Sequence, residues 1–480
     1  MKHTLLLTLL AVVIVSADLH AQSEVTTTAE DVEGVSLTIY NQNFAVVREK
    51  RSFSLGEGTN FVRYEDVAAS IDATSLSFKS LTDPNGVAVR EQNYQYDLLN
   101  PASILNKSIG KRLRYRRVLP DGTEEIFYAT LLSTNSGTVV RTDDGRIVLN
   151  PSGEVTVEEL PEGLVSRPSL LWKLDVNRGG THNTEVSYLT NQINWKADYV
   201  AVVNDEETMV DLTGWVTLDN KSGATYENAQ LQLLAGDVRR VQEGNRYDYN
   251  QYAAKSGAMR AAEPQFQEES FFEYHLYTLE GKTDVRDNET KQMTLLSAAD
   301  VSVERKLVFD GNRRWYYGYG ANRPGEGSST QEDKVNVIVE LENSKPNNMG
   351  MPLPKGKVRM YKADKRGNLQ FLGEDMIDHT PRDEKLRLYV GDAFDVVGTW
   401  KRMNYDKISD RVHEADYEIS IRNHKDEAAK VWVVEHLYAD WTVLKKSHDF
   451  NKLDATTIEF PITVPADGEV VVKYTARYRW

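Results

Sequence analysis

The most unusual local chemistry in this sequence is a short run of aromatic and basic residues near position 315. Flat aromatic rings stack on sugars or on partner side chains, and guanidinium groups add hydrogen bonds, so such residues dominate binding hot spots. An exposed run would form a recognition patch; the alternative is that the rings pack onto the sandwich beneath them or form the end of a hairpin. The predicted binding residues are Arg313, Arg314, Trp315, Tyr316, Tyr317 and Tyr319. A weaker case of the same kind is made by Tyr247, Tyr249 and Tyr252.

Metal and nucleophile chemistry lack their usual motifs. The nearest approach to the zinc motif H-E-x-x-H is His413-Glu414, but Tyr417 stands where the second histidine is needed. No G-x-S-x-G or P-loop pattern provides a serine nucleophile or a phosphate cradle. We therefore predict no metal site and no cofactor. The histidines beyond the leader are His182, His275, His379, His413, His424, His436 and His448.

A pair of carboxylates is the catalytic arrangement that the sequence leaves open. The two acids of a glycosidase come from separate strands and need only be close in space, so no spacing reveals them. Each candidate is equally well explained as an ordinary surface residue. These candidates are Glu340, Glu342, Glu374, Asp375 and Asp378.

Length and charge narrow the class of protein. A chain of 480 residues is too long for one compact core and suggests roughly three or four structural units. The chain carries 57 Lys and Arg against 72 Asp and Glu, a formal net charge of -15, which opposes attraction to phosphate backbones. Nucleic acid is therefore not a predicted partner. A mean hydropathy of -0.51 predicts no membrane span in the mature chain.

The first 21 residues read as a secretory signal peptide. Lys2 precedes an apolar run from Leu5 to Val15, and Ala17 or Ala21 supplies the small residue at a cleavage site. The chain contains no cysteine, so it has neither disulfides nor a thiol nucleophile. An exported chain without cysteine suits a bacterial periplasm or exterior better than a eukaryotic secretory route.

The elements that must position these residues are β-strands. Val335, Val337, Val339 and Leu341 occupy every second position of one segment, a period-two pattern typical of a half-buried strand, and the same pattern recurs along the chain. Turn sequences such as Pro120-Asp121-Gly122 separate the segments. One helix is predicted around residues 100–109, with Asn100 as its cap, Pro101 in its first turn, and Leu105 and Ile109 stacked one turn apart.

The predicted architecture is all-β and multi-domain. The units are a signal peptide at 1–21, an N-terminal β domain at 24–100, a short helix with a small SH3-like barrel at 101–165, a central β-sandwich at 166–400 and an immunoglobulin-like domain at 401–480. Two long exposed loops are predicted at 239–270 and 310–334, where periodicity is lost.

Several segments resemble a known family. They are SYLTNQINWKADY, DLTGWVTLDNKSGATYENAQLQLLAGDV, YTLEGKTDVRDNETKQMTLL and ELENSKPNNMGMPLPKGKVRMYKA, and the likeness continues to the C-terminus over about three fifths of the chain. The chain is similar to a family of uncharacterised bacterial exported proteins, related to mucoidy-inhibitor proteins and defined by a C-terminal domain of unknown function. The resemblance implies a β-rich fold, export and a link to the cell envelope. It implies no reaction, cofactor or catalytic residue.

Two functions are therefore carried forward. The first is a non-catalytic protein that binds a cell-envelope protein or polysaccharide through its exposed loops. The second is an envelope hydrolase that uses paired carboxylates in an inter-domain cleft. A hydrolase predicts convergent, buried carboxylates with raised pKa values in a concave site, whereas a binding protein predicts an exposed aromatic patch without such a pair.

Overall fold

The computed structural model describes residues 24–240, 265–311 and 330–480, and these are built almost entirely of β-strands. The predicted all-β, multi-domain sandwich architecture is confirmed. The predicted leader at 1–21 lies outside the described residues. No helix in the described ranges is long and apolar enough to cross a membrane.

Two sheets are built mainly from the first half of the chain. One sheet has the order β1-β4-β12-β6, with β1 (Glu24–Thr27), β4 (Gly58–Glu65), β12 (Ser169–Val176) and β6 (Val87–Gln95). The other has the order β17-β18-β16-β2-β3-β13-β5, with β19 paired to β16. Its strands are β2 (Val32–Tyr40), β3 (Phe44–Leu55), β5 (Ile71–Ser80), β13 (Gly180–Asn191), β16 (Tyr226–Ala235), β17 (Phe266–Phe271), β18 (Tyr274–Leu279) and β19 (Thr283–Val285).

The largest sheet among the described residues is built mainly from the second half of the chain. Its main path is β23-β22-β14-β15-β20-β21-β24-β25-β30-β27, and β26, β28 and β29 branch from it beside β20. Its strands are β14 (Ile193–Val203), β15 (Met209–Asn220), β20 (Glu289–Phe309), β21 (Thr330–Glu342), β22 (Gly356–Ala363), β23 (Leu369–Ile377), β24 (Lys385–Ser409), β25 (Val412–Asn423), β26 (Ala429–His436), β27 (Asp440–Lys446), β28 (Asn451–Lys452), β29 (Thr457–Val464) and β30 (Gly468–Arg479).

The predicted small insert is a five-stranded sheet. Its order is β10-β9-β8-β7-β11, with β7 (Arg112–Val118), β8 (Glu124–Ser133), β9 (Val139–Thr142), β10 (Ile147–Leu149) and β11 (Glu154–Thr156). The prediction that these strands close into a barrel is wrong for the described residues, because the edge strands β10 and β11 are only three residues long and do not pair with each other. The sheet nevertheless has its own small core around Leu113, Tyr115 and Leu131.

The predicted helix is present in a shorter form. Helix α1 (Pro101–Lys107) begins after Asn100, whose side-chain oxygen accepts a hydrogen bond from the Ser103 amide at 2.9 Å. Leu105 packs against the core of the insert. Ile109 lies beyond the end of the helix and is 49% exposed, so its predicted stacking within the helix is wrong.

Strands β20 and β24 of the largest sheet connect two hydrophobic cores. The first core takes residues from the two sheets of the first half and from the early part of the largest sheet, and the second lies within the C-terminal sandwich. β20 contributes Leu296 to the first core and Phe309 to the second. β24 contributes Leu388 to the first and Trp400 to the second. Because β20 and β24 run unbroken for 21 and 25 residues, their strand geometry fixes one core relative to the other.

Part of each predicted loop belongs to a strand. Residues 266–270 belong to β17, where buried Phe266 pairs with Leu279, and residues 330–334 begin β21 against β24. The polar composition of these two segments gives no strand signal, because each strand is stabilised by pairing with a neighbouring strand. Residues 241–264 and 312–329 lie outside the described residues. Trp195 is buried in the first core as predicted, and Trp215 is half-buried.

Candidate polar binding cleft

A cleft of about 1280 Å³ opens on one face of the sheet formed by β24, β21, β20, β26 and β29. Successive side chains of a strand point to opposite faces, so alternate residues of these strands enter the cleft. The cleft is lined by Lys306, Val308, Asp310, Asp333, Lys334, Asn336, Ile338, Glu340, Asp375, Arg387, Tyr389, Asp392, Val434, His436, Leu453, Asp454, Thr457 and Glu459.

Cross-strand pairing arranges these side chains in rows. Ile338 of β21 lies opposite Lys306 of β20 on one side and Tyr389 of β24 on the other. In the next row, Asn336 lies opposite Asp392. Side chains directly opposite one another in an antiparallel pair are about 5 Å apart at Cβ, so each row presents adjacent groups to one ligand.

The floor of the cleft is apolar. Val308, Ile338, Val434 and Trp432 form a small buried cluster of their own. The Lys306 ammonium lies 5.5 Å from the centre of the Trp432 ring, a cation–π arrangement. An apolar surface surrounded by a few polar groups is the usual composition of a small-molecule binding site.

The walls carry an excess of negative charge. Among the described residues of the lining, seven carboxylates face three Lys or Arg side chains, a balance of charge that repels polyanions. The carboxylates are Asp310, Asp333, Glu340, Asp375, Asp392, Asp454 and Glu459, and the cations are Lys306, Lys334 and Arg387.

Several of these charges are held in place by partners within the cleft. Lys306 Nζ lies 2.7 Å from a Glu340 oxygen, and Lys334 Nζ lies 3.3 Å from Asp392. The Tyr389 hydroxyl donates a hydrogen bond to Asp392 at 2.8 Å. Burial works to raise the pKa of Asp392, but the hydrogen bonds and the Lys334 charge outweigh it and lower the pKa overall. Asp392 is therefore a fixed, ionised acceptor.

Charged groups on the two outer strands of this face are more available. The Arg387 side chain is 58% exposed, and its ion pair with Glu340 is long, at 3.7 Å. Within the described residues, the Glu459 side chain makes no hydrogen bond or ion pair. A donor on β24 and an acceptor on β29 can therefore both turn towards a ligand that lies across the strands.

One imidazole lies between a carboxylate and a hydroxyl. His436 Nε2 is 3.2 Å from Asp310, and His436 Nδ1 is 3.4 Å from Thr457 Oγ1. The order of hydroxyl, imidazole and carboxylate is that of a catalytic triad, but a nucleophile and its base usually lie 2.6–3.2 Å apart, and Thr457 is only 9% exposed. This geometry holds the rim of the cleft together better than it activates a nucleophile.

Among the described carboxyl groups, a strongly raised pKa occurs on the other side of β26. Glu435 is fully buried in the second core, where Trp400 Nε1 and the Tyr474 hydroxyl donate to it at 3.1 and 2.6 Å. Burial raises the pKa of Glu435 to about 8. Because Glu435 points away from the cleft that Val434 and His436 face, it cannot act on a ligand bound there.

The predicted aromatic site is not described directly. Arg313, Arg314, Trp315, Tyr316, Tyr317 and Tyr319 lie outside the described residues, as do Tyr247, Tyr249 and Tyr252. The chain leaves the described residues after Gly311 and re-enters them at Thr330. Asp310 and Asp333, close to those two points, both line the cleft. The role of the aromatic run stays a prediction.

The structure separates the five carboxylates proposed from sequence. Glu340 and Asp375 line the cleft, whereas Glu342, Glu374 and Asp378 do not. Glu374 instead pairs with Lys357 at 2.8 Å. Sequence reasoning missed Asp310, Asp392 and Glu459, because no local signal shows that β20, β24 and β29 share one face.

The histidines are dispersed. His436 enters the cleft, His275 lies 2.7 Å from Glu268, and His182 is buried beside Ser80. In the part of the chain that the structure describes, no three His, Asp or Glu side chains converge as metal ligands do. The comparisons with protein-family models and with curated proteins gave no match for this sequence.

Proposed function

We propose that the protein is an exported, non-catalytic binding protein of the bacterial cell envelope, and that it holds a neutral or amino-bearing polysaccharide in the polar cleft. The observation that carries the proposal is the composition of the cleft: an apolar floor beneath walls with seven carboxylates and three cations. Sugars offer hydroxyl groups that both donate and accept hydrogen bonds, and their C–H faces suit an apolar floor.

The charge balance selects among polysaccharides. An anionic polymer would meet net repulsion, a neutral one would meet fixed acceptors such as Asp392, and an amino sugar would gain attraction. The exposed Arg387 adds donors at one side. An envelope protein is the other partner class predicted from the sequence, and the cleft favours it less because most of its wall residues are charged.

Export and family membership belong to the same proposal. The leader-like first 21 residues and the absence of cysteine support an address outside the cytoplasm. The resemblance to the family related to mucoidy-inhibitor proteins supports a role at the envelope. Both supports come from the sequence.

The hydrolase is the second candidate, favoured by the contacts among Thr457, His436 and Asp310. It is the weaker one, because Glu435, whose pKa is raised as a catalytic acid requires, faces the core and not the cleft. Release of reducing ends from a bound polymer would favour the hydrolase over the binding protein.

The test is affinity electrophoresis of the mature protein in gels that contain a neutral, an amino-bearing or an acidic polysaccharide. We expect retardation by the first two, and loss of about 1–2 kcal/mol of binding free energy in Arg387→Ala combined with Glu459→Ala, as for the loss of hydrogen bonds to a ligand. The matched control is Arg146→Ala, an exposed charge on the insert.

A second variant replaces Trp315, Tyr316, Tyr317 and Tyr319 with Ala. If the aromatic run contributes to the site, this variant also loses retardation while its circular dichroism spectrum is unchanged. Retardation only by the acidic polymer, or equal retardation of the cleft double variant and the wild type, would contradict the proposal.

A further inference from the structure

A second cavity lies on the opposite side of the strands that carry the cleft. It has a volume of about 220 Å³. In β21, Asn336, Ile338 and Glu340 face the cleft, whereas Val337 and Val339 face this cavity. Strand alternation thus places a polar site and an apolar site back to back on one layer of backbone.

Most of the cavity wall is aliphatic. Val303 of β20, Val339 of β21, Met360 of β22 and Val390 of β24 line it, and Leu372 of β23 is 42% exposed at its open edge. A lining of this kind favours an apolar ligand body.

One part of the cavity wall is charged. Arg305 Nη1 lies 2.9 Å from one Glu207 oxygen, and Lys362 Nζ lies 2.8 Å from the other, so two cations share one carboxylate. Burial opposes ionisation of Glu207, but Lys362 and Arg305 outweigh it and lower the pKa of Glu207 overall. The remaining charge in the lining, Asp392, is paired with Lys334 from the cleft side.

We propose that this cavity binds a medium-chain carboxylic acid, with the alkyl chain among the valines and the carboxylate against Arg305 and Lys362. Lys362 also donates to the Asp205 carbonyl oxygen at 3.0 Å, which leaves one ammonium N–H and several guanidinium N–H groups for a ligand. A second anion would balance the second cation. A cavity of about 150 Å³ holds benzene, so 220 Å³ accommodates a chain of about eight carbons. This inference does not depend on the polysaccharide proposal.

The test is isothermal titration calorimetry of the full mature chain with hexanoate, octanoate, 1-octanol and octylammonium. Each added methylene buried should strengthen binding by about 3- to 4-fold until the cavity is full. We expect octanoate to bind at least 10-fold more tightly than hexanoate or 1-octanol, and octylammonium to bind most weakly.

Two variants locate the site. Arg305→Gln should reduce octanoate affinity about 10-fold and leave 1-octanol unaffected, because only the acid uses the guanidinium. Leu372→Trp should reduce both by blocking the edge of the cavity. The matched control is Arg387→Gln, whose side chain faces the cleft and should leave octanoate binding unchanged.

If Leu372→Trp does not fold, Arg305→Gln alone tests the proposal, through the change in its affinity for octanoate compared with the change for 1-octanol. Absence of saturable octanoate binding, or equal loss for the acid and the alcohol in Arg305→Gln, overturns the proposal.

Discussion

The two faces of β20, β21 and β24 differ by a single step along the chain. Ile338 and Glu340 look into a cleft rich in charge, while their neighbours Val337 and Val339 look into an aliphatic cavity. The same backbone therefore supports two chemically opposite surfaces. The comparison shows that register decides which surface each side chain joins, since a slip of one residue would exchange them.

An irregularity in β24 lets one residue serve both faces. Val337 pairs with Gly391 and Ile338 pairs with Tyr389, so Val390 is skipped in the ladder. Such a bulge interrupts the alternation and re-aims the side chains that follow. Asp392, which follows it, lines both the cleft and the cavity.

The largest expected effect extends the comparison to β26, where Glu435 faces a core and His436 faces the cleft. A pKa of about 8 in the folded state, above an ordinary value near 4.5, means that the folded protein keeps a proton that the unfolded chain releases. Stability from this group is complete below pH 4.5 and is lost as pH rises to 8. At about 1.4 kcal/mol per pH unit, the loss amounts to roughly 4–5 kcal/mol.

Glu435→Gln should remove most of that pH dependence, because glutamine can accept from Trp400 and Tyr474 without ionising. Urea unfolding at pH 5 and pH 9, followed by tryptophan fluorescence, measures the difference. The matched control is Glu459→Gln, a carboxylate on the cleft side, which should keep the wild-type pH dependence. A wild-type stability that is equal at both pH values would contradict the buried, protonated state.

The next largest effect tests the difference between the two faces of β21. Val339→Asp places a carboxylate on the aliphatic face, where Val339 is 6% exposed, and should lower the free energy of unfolding by roughly 3 kcal/mol or more. Glu340→Gln, one residue away on the cleft face, should cost about 1 kcal/mol, because a partly buried ion pair with Lys306 and a long one with Arg387 are weakened. Chemical denaturation of both variants checks this, and equal losses would refute the division into two faces.

The smallest expected effect concerns energetic coupling between the cleft and the aliphatic cavity. Arg387→Gln and Arg305→Gln, on opposite faces, should each weaken one ligand by about 10-fold, near 1.4 kcal/mol, and change the other ligand by less than 2-fold. Titrations of each variant with both ligand classes measure this. Loss of both ligands in either variant would show that the faces are coupled, for which the shared Asp392 is the first candidate.

The fold was largely predictable, because alternation is a local signal. The pattern of Val335, Val337, Val339 and Leu341 correctly predicts a strand with one covered face. It does not predict that Ile338, on the other face, is also buried, since that depends on Val308 and Val434 from distant strands.

The site was much less predictable. Glu340 and Asp375 could not be told from Glu342, Glu374 and Asp378, because strand pairing alone decides which acids enter the cleft. Asp310 and His436 are 126 residues apart in the sequence and meet only through the parallel pairing of β20 with β26. Long-range pairing of this kind leaves no spacing signature in a single sequence.

The continuous β20 and β24 also have a mechanical consequence. A polymer bound in the cleft, as proposed above, would pull on a sheet whose strands run from one core into the other without an intervening linker. Tension along those strands is resisted by many ladder hydrogen bonds loaded together in shear, so the two cores should yield to force as one unit. A protein that tethers an envelope polymer would in this way transmit load through its own backbone.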